Sequence, residues 1–479
     1  MDRPPIIPQQ CDIIIIGGGV IGSSIAYWLK KRVYSQDFKV IVVERDPMYT
    51  TASTVLSAGG LRQQFSLKEN IEMSLFGAEF IRNINDYLGI EGQPVIDLSY
   101  HPYGYLMLAS EKGAERLTEN SKLQNFLGAK NMLLSAAKLK HIFPWLNTED
   151  IELGCLGLEK EGWFDPWSLL CAFKQKALIL GAQYICGEAC GFVNKDDDEL
   201  PERLDKLVVS FKFSFNIISH SCRTIGEIAK MAKIGIETDI RQICLPVEPR
   251  KRYIYCFHSP DGPGLNTPLT IDYSGTYFRK DFFTVFYNFE ENNLYITLDM
   301  IHPLHYCILY IMLKSSWAGY YEFNTFDQNG IIGSHPYHRN LVFATGFSGH
   351  GIQQAPAVGR AIAELIVDGK YMTIDLSNLN FDRIIHGSHM SEINILKSSW
   401  AGYYEFNTFD QNGIIGSHPY HRNLVFATGF SGHGIQQAPA VGRAIAELIV
   451  DGKYMTIDLS NLNFDRIIHG SHMSEINIV

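Results

Sequence analysis

The feature that most constrains this 479-residue chain is a short stretch near its start. Asp12-Ile-Ile-Ile-Ile16 runs straight into Gly17-Gly18-Gly19-Val20-Ile21-Gly22, and a second apolar run, Lys39-Val-Ile-Val-Val43, ends at Glu44. An apolar strand, a G-x-G-x-x-G turn, a helix, a second strand and an acid make up the βαβ unit that holds the ADP half of a dinucleotide. Gly17 permits the tight turn, Gly19 lets the backbone approach a pyrophosphate, and Gly22 lets the helix lie close to the strand. The phosphates then rest on the partial positive charge of a helix N-terminus. Glu44 can accept hydrogen bonds from ribose hydroxyls and would repel a 2′-phosphate, so NAD or FAD is favoured over NADP.

Composition allows two or three domains of ordinary globular character, with 46% hydrophobic and 19% charged residues. A net charge of −10 with no basic patch excludes a nucleic-acid partner. Nine cysteines without metal-type spacings read as reduced thiols, and Cys186 and Cys190, the closest pair, as buried or half-buried. Two histidine pairs, His335/His338 and His386/His389, lack a third ligand and read as surface loops; Asp196-Asp-Asp198 reads as a solvated loop. The run Leu304–Leu313 is too short to span a bilayer. Pro4, Pro5 and Pro8 leave no amphipathic leader helix ahead of the first strand, as in a cytosolic chain or one whose N-terminus is incomplete.

Leu313–Ile395 recurs without a change as Leu396–Ile478, a period of 83 residues. Solenoid repeats drift and recur several times, so one perfect copy is a recent duplication or an exon counted twice. Each copy holds a strand-like SSWAGYYEF, a GFSGHG loop and a helix-forming APAVGRAIAELIV. One fold has room for one of them, and the first copy is expected to take that place because it follows the preceding elements directly.

The first copy supplies a second anion-favouring turn. Leu341-Val-Phe-Ala-Thr-Gly346 reads as a strand ending in glycine, followed by Phe347-Ser348-Gly349-His350-Gly351 and a helix expected to start near Pro356. A helix dipole aimed at a reduced flavin would stabilise its negative charge; His350 either helps there or bonds the loop backbone. Between the two turns, Ser53-Thr54-Val55-Leu56-Ser57-Ala58-Gly59-Gly60-Leu61-Arg62 places small residues ahead of an arginine, where backbone could run beside a planar ring. The same stretch is equally readable as a helix-capping loop.

VERDP at Val43–Pro47, GWFDPW at Gly162–Trp167, WAGYYEFNTFDQNGIIG at Trp317–Gly333 and GFSGHG resemble the D-amino-acid oxidase and sarcosine oxidase superfamily. SAGGLRQQFSLKENIEMSLF, LPVEPRKRYIY and GHGIQQAPAVGRAIAELI resemble one branch of it, associated with mitochondria and with assembly of respiratory complex I. The resemblance implies an α/β fold: a Rossmann-like FAD-binding domain with a mixed-sheet α+β substrate domain of the D-amino-acid oxidase type. It implies a discontinuous FAD domain (11–94, 161–237 and 326–371), a substrate domain (95–160 and 238–325), and a surplus 396–478 not all part of the native fold.

The implied chemistry is FAD-dependent oxidation of a small amine or amino acid. Gly17, Gly19, Gly22, Glu44, Arg45, Ser53, Thr54, Gly59, Gly60, Gly346, Phe347, Ser348, Gly349 and Gly351 would bind FAD; Arg62, His350 and Gln353 would stand at the reacting end. The implied partners are complex I subunits or assembly factors, the implied compartment the mitochondrion. Several positions depart from the pattern. Leu56 stands where relatives carry a flavin-linking histidine, and Trp317–Tyr321 offers no cysteine, so FAD should be held non-covalently. Gln353 replaces a lysine and Phe65 an arginine, which weakens the grip on an amino-acid carboxylate and favours a non-catalytic scaffold as the alternative. An N-A-A-G-x-W stretch is missing at Ser219–Thr224, where Cys222 takes the glycine place, and a G-G-x-S-P segment is missing from Asp281–Met312. Tyr253, Tyr255, Tyr277, Lys251 and Arg252 are further candidates for the pocket wall.

Overall fold

A computed structural model describes residues 11–191, 216–219, 225–236, 242–258, 266–273, 275, 277–281, 284–289, 312–390, 414–417, 419, 425–428 and 434–471. Asp196–Asp198, Cys222 and residues 290–311 lie outside these. Contacts divide the chain into two units, Met1–Ser399 and Trp400–Val479.

The first unit is built on two sheets. A six-stranded sheet contains β1 (Ile13–Ile16), β2 (Val40–Glu44), β8 (Gln183–Cys186), β9 (Asn216–Ser219), β15 (Ile331–Ser334) and β16 (Leu341–Thr345), in the order β15-β16-β9-β1-β2-β8. All neighbours run parallel except β15 against β16. Parallel strands covered on both faces need unbroken apolar runs, which IIII and LVFAT supply. Side chains alternate: Ile13, Ile15, Val40 and Val42 join one core, and Ile14, Ile16, Ile41 and Val43 the other.

The first of these cores is closed by four helices: α1 (Val20–Arg32), α2 (Lys68–Arg82), α4 (Pro166–Ile179) and α5 (Gly351–Asp368). Asp165 caps α4 by accepting from the Trp167 and Ser168 amides, with Pro166 in the first turn, so FDPW is a helix start.

The second sheet is mixed and eight-stranded, in the order β14-β10-β13-β12-β11-β4-β6-β5. Its strands are β4 (Tyr105–Ala109), β5 (Asn131–Ser135), β6 (Leu153–Gly157), β10 (Val247–His258), β11 (Leu269–Ile271), β12 (Tyr277–Asp281), β13 (Thr284–Phe289) and β14 (Met312–Asn324). Only β4 and β11 pair in parallel. Helix α3 (Glu111–Phe126) separates β4 from β5 in the chain, and the short β3 (Gly60–Leu61) pairs with β7 (Gly162–Trp163).

The second unit, by itself, holds a hairpin of β17 (Ile414–Ser417) and β18 (Val425–Thr428) and helix α6 (Gly434–Asp451).

Three expectations need correction. Helix α5 starts at Gly351 and carries Pro356 inside it, because His350 serves as N-cap and the glycine loop ends one turn earlier than a proline start requires. Cys186 and Cys190 are exposed, the first at the end of the edge strand β8 and the second in the irregular stretch that follows it. His335 is fully buried: its Nδ1 accepts from the Tyr337 and His338 amides and its ring packs on Phe381.

Candidate active site

The glycine turn earns its composition locally. Gly17 has φ +99°, open to glycine, and a Cβ on Gly22 would sit 2.0 Å from the Gly17 carbonyl oxygen. Gly19 is the N-cap of α1 with φ −61°, a conformation any residue adopts, so backbone strain does not explain it. No acidic side chain enters the first turn of α1. Glu44 leans over the turn: Oε2 accepts from the Gly18 amide at 2.7 Å and Oε1 from the Asp46 amide at 2.9 Å. A carboxylate has about four lone-pair directions, so acceptor capacity remains for sugar hydroxyls.

Tyr49, 2% exposed, brings its hydroxyl 3.1 Å from where a Cβ on Gly18 would be, and that oxygen has no hydrogen-bond partner among the described residues. Thr54 Oγ1 accepts from the Val20 amide at 3.2 Å, at the same helix end. A positive helix end, a nearby carboxylate and an orphaned hydroxyl fit the ADP half of a dinucleotide. Arg45 points elsewhere, onto Glu188 at 3.2 Å.

The stretch between the turns approaches its neighbours closely where it carries glycine. Gly59 (φ +67°) has no room for a side chain, since a Cβ would meet the Phe164 carbonyl oxygen at 2.0 Å, and on Gly60 it would meet Tyr105 Oη at 1.9 Å. Ser53 donates to the Tyr320 carbonyl, while Trp317 Nε1 donates to the Leu56 carbonyl at 3.3 Å, so Leu56 lies along β14.

The second turn is fastened to β14 through Glu322. Its Oε2 accepts from Thr345 Oγ1 and the Gly346 amide, and its carbonyl accepts from the Ser348 amide. Gly346, Ser348 and Gly349 all have positive φ, and Phe347 is a buried wedge beneath them. This curl delivers His350 to Arg62, 288 residues away: Arg62 Nη2 stands 3.0 Å from His350 Nε2. A guanidinium can only donate, so Nε2 is the bare acceptor and the imidazole carries its hydrogen on Nδ1. Burial and the Arg62 charge pull the His350 pKa down to about 3, which keeps it neutral. The edge of the Phe65 ring pair closes the group, with Phe65 and His350 centroids 5.0 Å apart and Arg62 4.6 Å above Phe65.

Gln353 joins the group in a different capacity. It is 3% exposed, and Oε1 accepts from the Arg62 amide at 2.8 Å, so it holds the backbone that carries the guanidinium. Glu161, which nothing in the sequence singled out, works beside it. Its buried carboxylate accepts from the Gln63 amide at 2.7 Å and from Gln64 Nε2 at 2.9 Å. Burial pushes it up to about 7 against those bonds and the Arg62 charge. Gln124 Nε2 donates to the Phe65 carbonyl at 2.8 Å, so residues 62–65 are clamped along their length.

Of the remaining candidates, Tyr277 packs on the cluster around Trp163, Lys251 lies over Tyr253, Arg252 lies over Tyr321, and the Tyr255 side chain lies outside what is described. No group of three metal-ligating side chains occurs among the described residues, and none of their helices is long and apolar enough to cross a membrane.

Residues 12–365 and 383–448 match the protein family described as FAD dependent oxidoreductase, DAO. The FAD-dependent oxidoreductase domain-containing protein 1 of Xenopus laevis is 45% identical over 426 residues, covering 81% of this chain and 85% of that protein. Its Drosophila melanogaster homolog is 44% identical over 427 residues, covering 82% of each. Among solved structures, L-proline dehydrogenase from P. horikoshii superposes with a TM-score of 0.64 at 25% identity, over 80% of this chain and 100% of that one.

Proposed function

The chain belongs to the DAO family of FAD-dependent oxidoreductases, and we propose that it oxidises a small amine or amino-acid-like donor at a carbon–nitrogen bond with its FAD held non-covalently. The observation that carries this reading is the half-buried guanidinium of Arg62. Among the described residues its direct contacts are a thioether (Met107 Sδ at 3.7 Å), an aromatic face and a neutral imidazole, while the Glu161 carboxyl within electrostatic reach is bonded to Gln63 and Gln64 instead. A cation so placed is poised for an anionic ligand, and bidentate carboxylate binding is what a guanidinium does best.

FAD supplies the two-electron oxidising power, and the protein's part is binding and orientation. Gly17–Gly22, Glu44, Tyr49 and Thr54 would hold its nucleotide half, and Gly346–Gly351 would lie beside its ring. Arg62 grips the donor's carboxylate and so fixes where its α-hydrogen points. His350 spends its lone pair on Arg62 and stays neutral, so it orients the guanidinium and takes no proton from the donor. Phe65 walls the site against water.

The sequence's likeness to the mitochondrial branch supports placing the protein in that organelle, with complex I subunits or assembly factors as partners. A second reading, a flavin-stabilised scaffold for those assembly intermediates, is favoured by Gln353 and Phe65. The first is buried on backbone and the second is apolar, so Arg62 is left to grip a carboxylate alone. Anaerobic titration of the yellow protein with an amine panel separates the two. Bleaching of the visible flavin band establishes turnover; a band unchanged by every donor leaves the scaffold.

A further inference from the structure

Two peptide planes meet at the Arg62 α-carbon, and each is fastened by a buried side chain from a distant part of the chain. Gln353 Oε1 accepts from the Arg62 amide at 2.8 Å, in the plane before that carbon. Glu161 Oε1 accepts from the Gln63 amide at 2.7 Å, in the plane after it. With both planes fixed, the guanidinium is left only its side-chain torsions. The eight-stranded sheet makes room for the second fastening, since a Cβ on Gly157 of β6 would lie 1.7 Å from Glu161 Oε2. Gln353 is neutral at any pH, whereas Glu161 can carry a charge, and it is 2% exposed.

Burial pushes that carboxyl up to about 7, against the bonds from the Gln63 amide and Gln64, the Arg62 charge and the Tyr105 amide. Tyr100, Tyr105 of β4 and Cys155 of β6 feel the Glu161 charge in turn; burial raises all three, so they stay neutral. Lys160, next to it in sequence, is paired with Glu79 at 3.1 Å. Arg62 is therefore the charged group that acts on Glu161. An anion arriving on Arg62 offsets the guanidinium charge and adds a negative charge of its own, and both changes favour the protonated carboxyl.

The proton has an acceptor within the same group. Gln64 is 4% exposed, and its Nε2 donates to Glu161 Oε2 at 2.9 Å and to the Tyr105 carbonyl at 3.2 Å. Its Oε1 has no hydrogen-bond partner among the described residues. A half-turn of that amide offers Oε1 to the carboxyl O–H, at the cost of the longer bond.

We propose that Glu161 is a positioning residue for Arg62 and that its carboxyl holds a proton when an anionic donor is bound, so that donor binding takes up a proton from solvent wherever Glu161 starts ionised. The inference rests on Arg62 gripping the donor's carboxylate, as proposed above, and adds a proton linkage to that grip.

Butyrate tests it, since it carries no amine to oxidise, stays ionised throughout, and is read by perturbation of the flavin spectrum at constant ionic strength. Its affinity should fall at least about threefold from pH 6 to pH 8.5, as half a pKa unit of coupling implies. Glu161→Gln still accepts from the Gln63 amide and cannot ionise, so it should bind butyrate equally at both pH values. Glu161→Ala leaves that amide unanchored and should bind about tenfold more weakly than Glu161→Gln. Calorimetry of the wild-type holoprotein at pH 7.5, in two buffers of different ionisation enthalpy, should show a fraction of a proton taken up per butyrate, a readout that needs no variant to fold. The same pH slope in wild type and Glu161→Gln, a flat wild type, or no proton uptake each overturns the linkage. Glu161→Ala equal to Glu161→Gln overturns the positioning role. In any of these cases, butyrate binding that is lost in Arg62→Met leaves the amine reading standing. If butyrate leaves the flavin spectrum unchanged and no donor bleaches it, both fall together.

Discussion

Leu313–Ile395 and Leu396–Ile478 are one sequence in two surroundings, and they separate what a segment specifies by itself from what its neighbours add. Both form the same hairpin, the same 18-residue helix, a 3-10 turn and a short final helix. Both end the long helix on a glycine with φ +72°, Gly369 and Gly452. Tyr371 donates to the Ile332 carbonyl at 3.3 Å, and Tyr454 to that of Ile415 at 3.4 Å. Arg360–Glu364 and Arg443–Glu447 are both 3.0 Å pairs.

Burial is where they part. β16 pairs with β9 and α5 packs against α1 and α2, whereas β17 and β18 form a two-stranded sheet. Ala363 and Ile362 are buried; Ala446 is exposed and Ile445 half-buried. Turn chemistry, caps and i,i+4 pairs are local and repeat wherever the sequence does, while a core needs a partner.

The largest test of that contrast is Arg383. Its guanidinium is buried on Asp327, at 2.7 Å and 3.0 Å, and also donates to the Leu379 and Asn380 carbonyls. Removing one partner of such a pair strands the other charge, at a cost of about 3–5 kcal/mol. Arg383→Met should therefore lower the temperature at which flavin is released, and Arg466→Met should leave it unchanged. Equal effects would mean that both copies complete the flavin-binding unit.

Gly359 comes next. A Cβ there would lie 2.2 Å from Ser24 Oγ and 2.7 Å from the Ser24 carbonyl carbon, where α5 crosses α1. Gly359→Val should cost about 1–3 kcal/mol by overpacking, measured by denaturant unfolding, and reduce flavin content. Gly442→Val should do neither. The reverse pattern would assign the docked position to the second copy.

The same distinction explains how much of the molecule was legible in advance. Ile13–Glu44 could be read in full because each part is local: apolar runs, a positive-φ glycine and an acid at a strand end. The start of α5 could not, since proline is a common first-turn residue and only the three-dimensional loop shows that His350 caps the helix. Gln353 was legible as a missing lysine but not as a clamp on Arg62, because that contact spans 291 residues. Glu161 was invisible, as an acid beside EGWFDPW carries no sign that it will be buried under Gln63 and Gln64. At Gly59 and Gly60 the close approach of the Phe164 carbonyl oxygen and Tyr105 Oη explains the missing side chains, a reason visible only in the folded chain.

His350 offers a smaller, pH-dependent test. Its imidazole stays neutral in the folded chain down to about 3, while the unfolded one takes up a proton below 6.5. Stability is therefore present above pH 6.5 and is lost as pH falls towards 3, by at most about 1.4 kcal/mol per pH unit. Glu161 has the opposite sign: the folded carboxyl keeps its proton up to about 7, so its contribution is lost as pH rises from 4.5 through 7. The two slopes oppose each other between pH 4.5 and 6.5. His350→Gln lacks the imidazole's loss, so the stability of wild type relative to the variant isolates the first slope and should fall on acidification. His433→Gln should show no such difference; a matching one would place the second imidazole in an equally dry site.

The smallest expected effect is that of losing the second copy. Removal of residues 396–479 should shift the flavin-release temperature by an amount equivalent to less than about 0.5 kcal/mol, as expected where Trp400–Val479 is a compact unit by itself. The second copy's core is small, a two-stranded hairpin and one helix with Ile415, Val441 and Ala444 buried, so limited proteolysis of the full chain should trim it first and leave the yellow unit intact. Ile449 and Val450, 63% and 79% exposed on α6, mark the stretch expected to be cut early, whereas Ile362 and Ala363 on α5 are sealed against α1 and α2. A second copy that resists protease as long as the first would show that it has found a core of its own, and loss of colour on its removal would show that the flavin site depends on it.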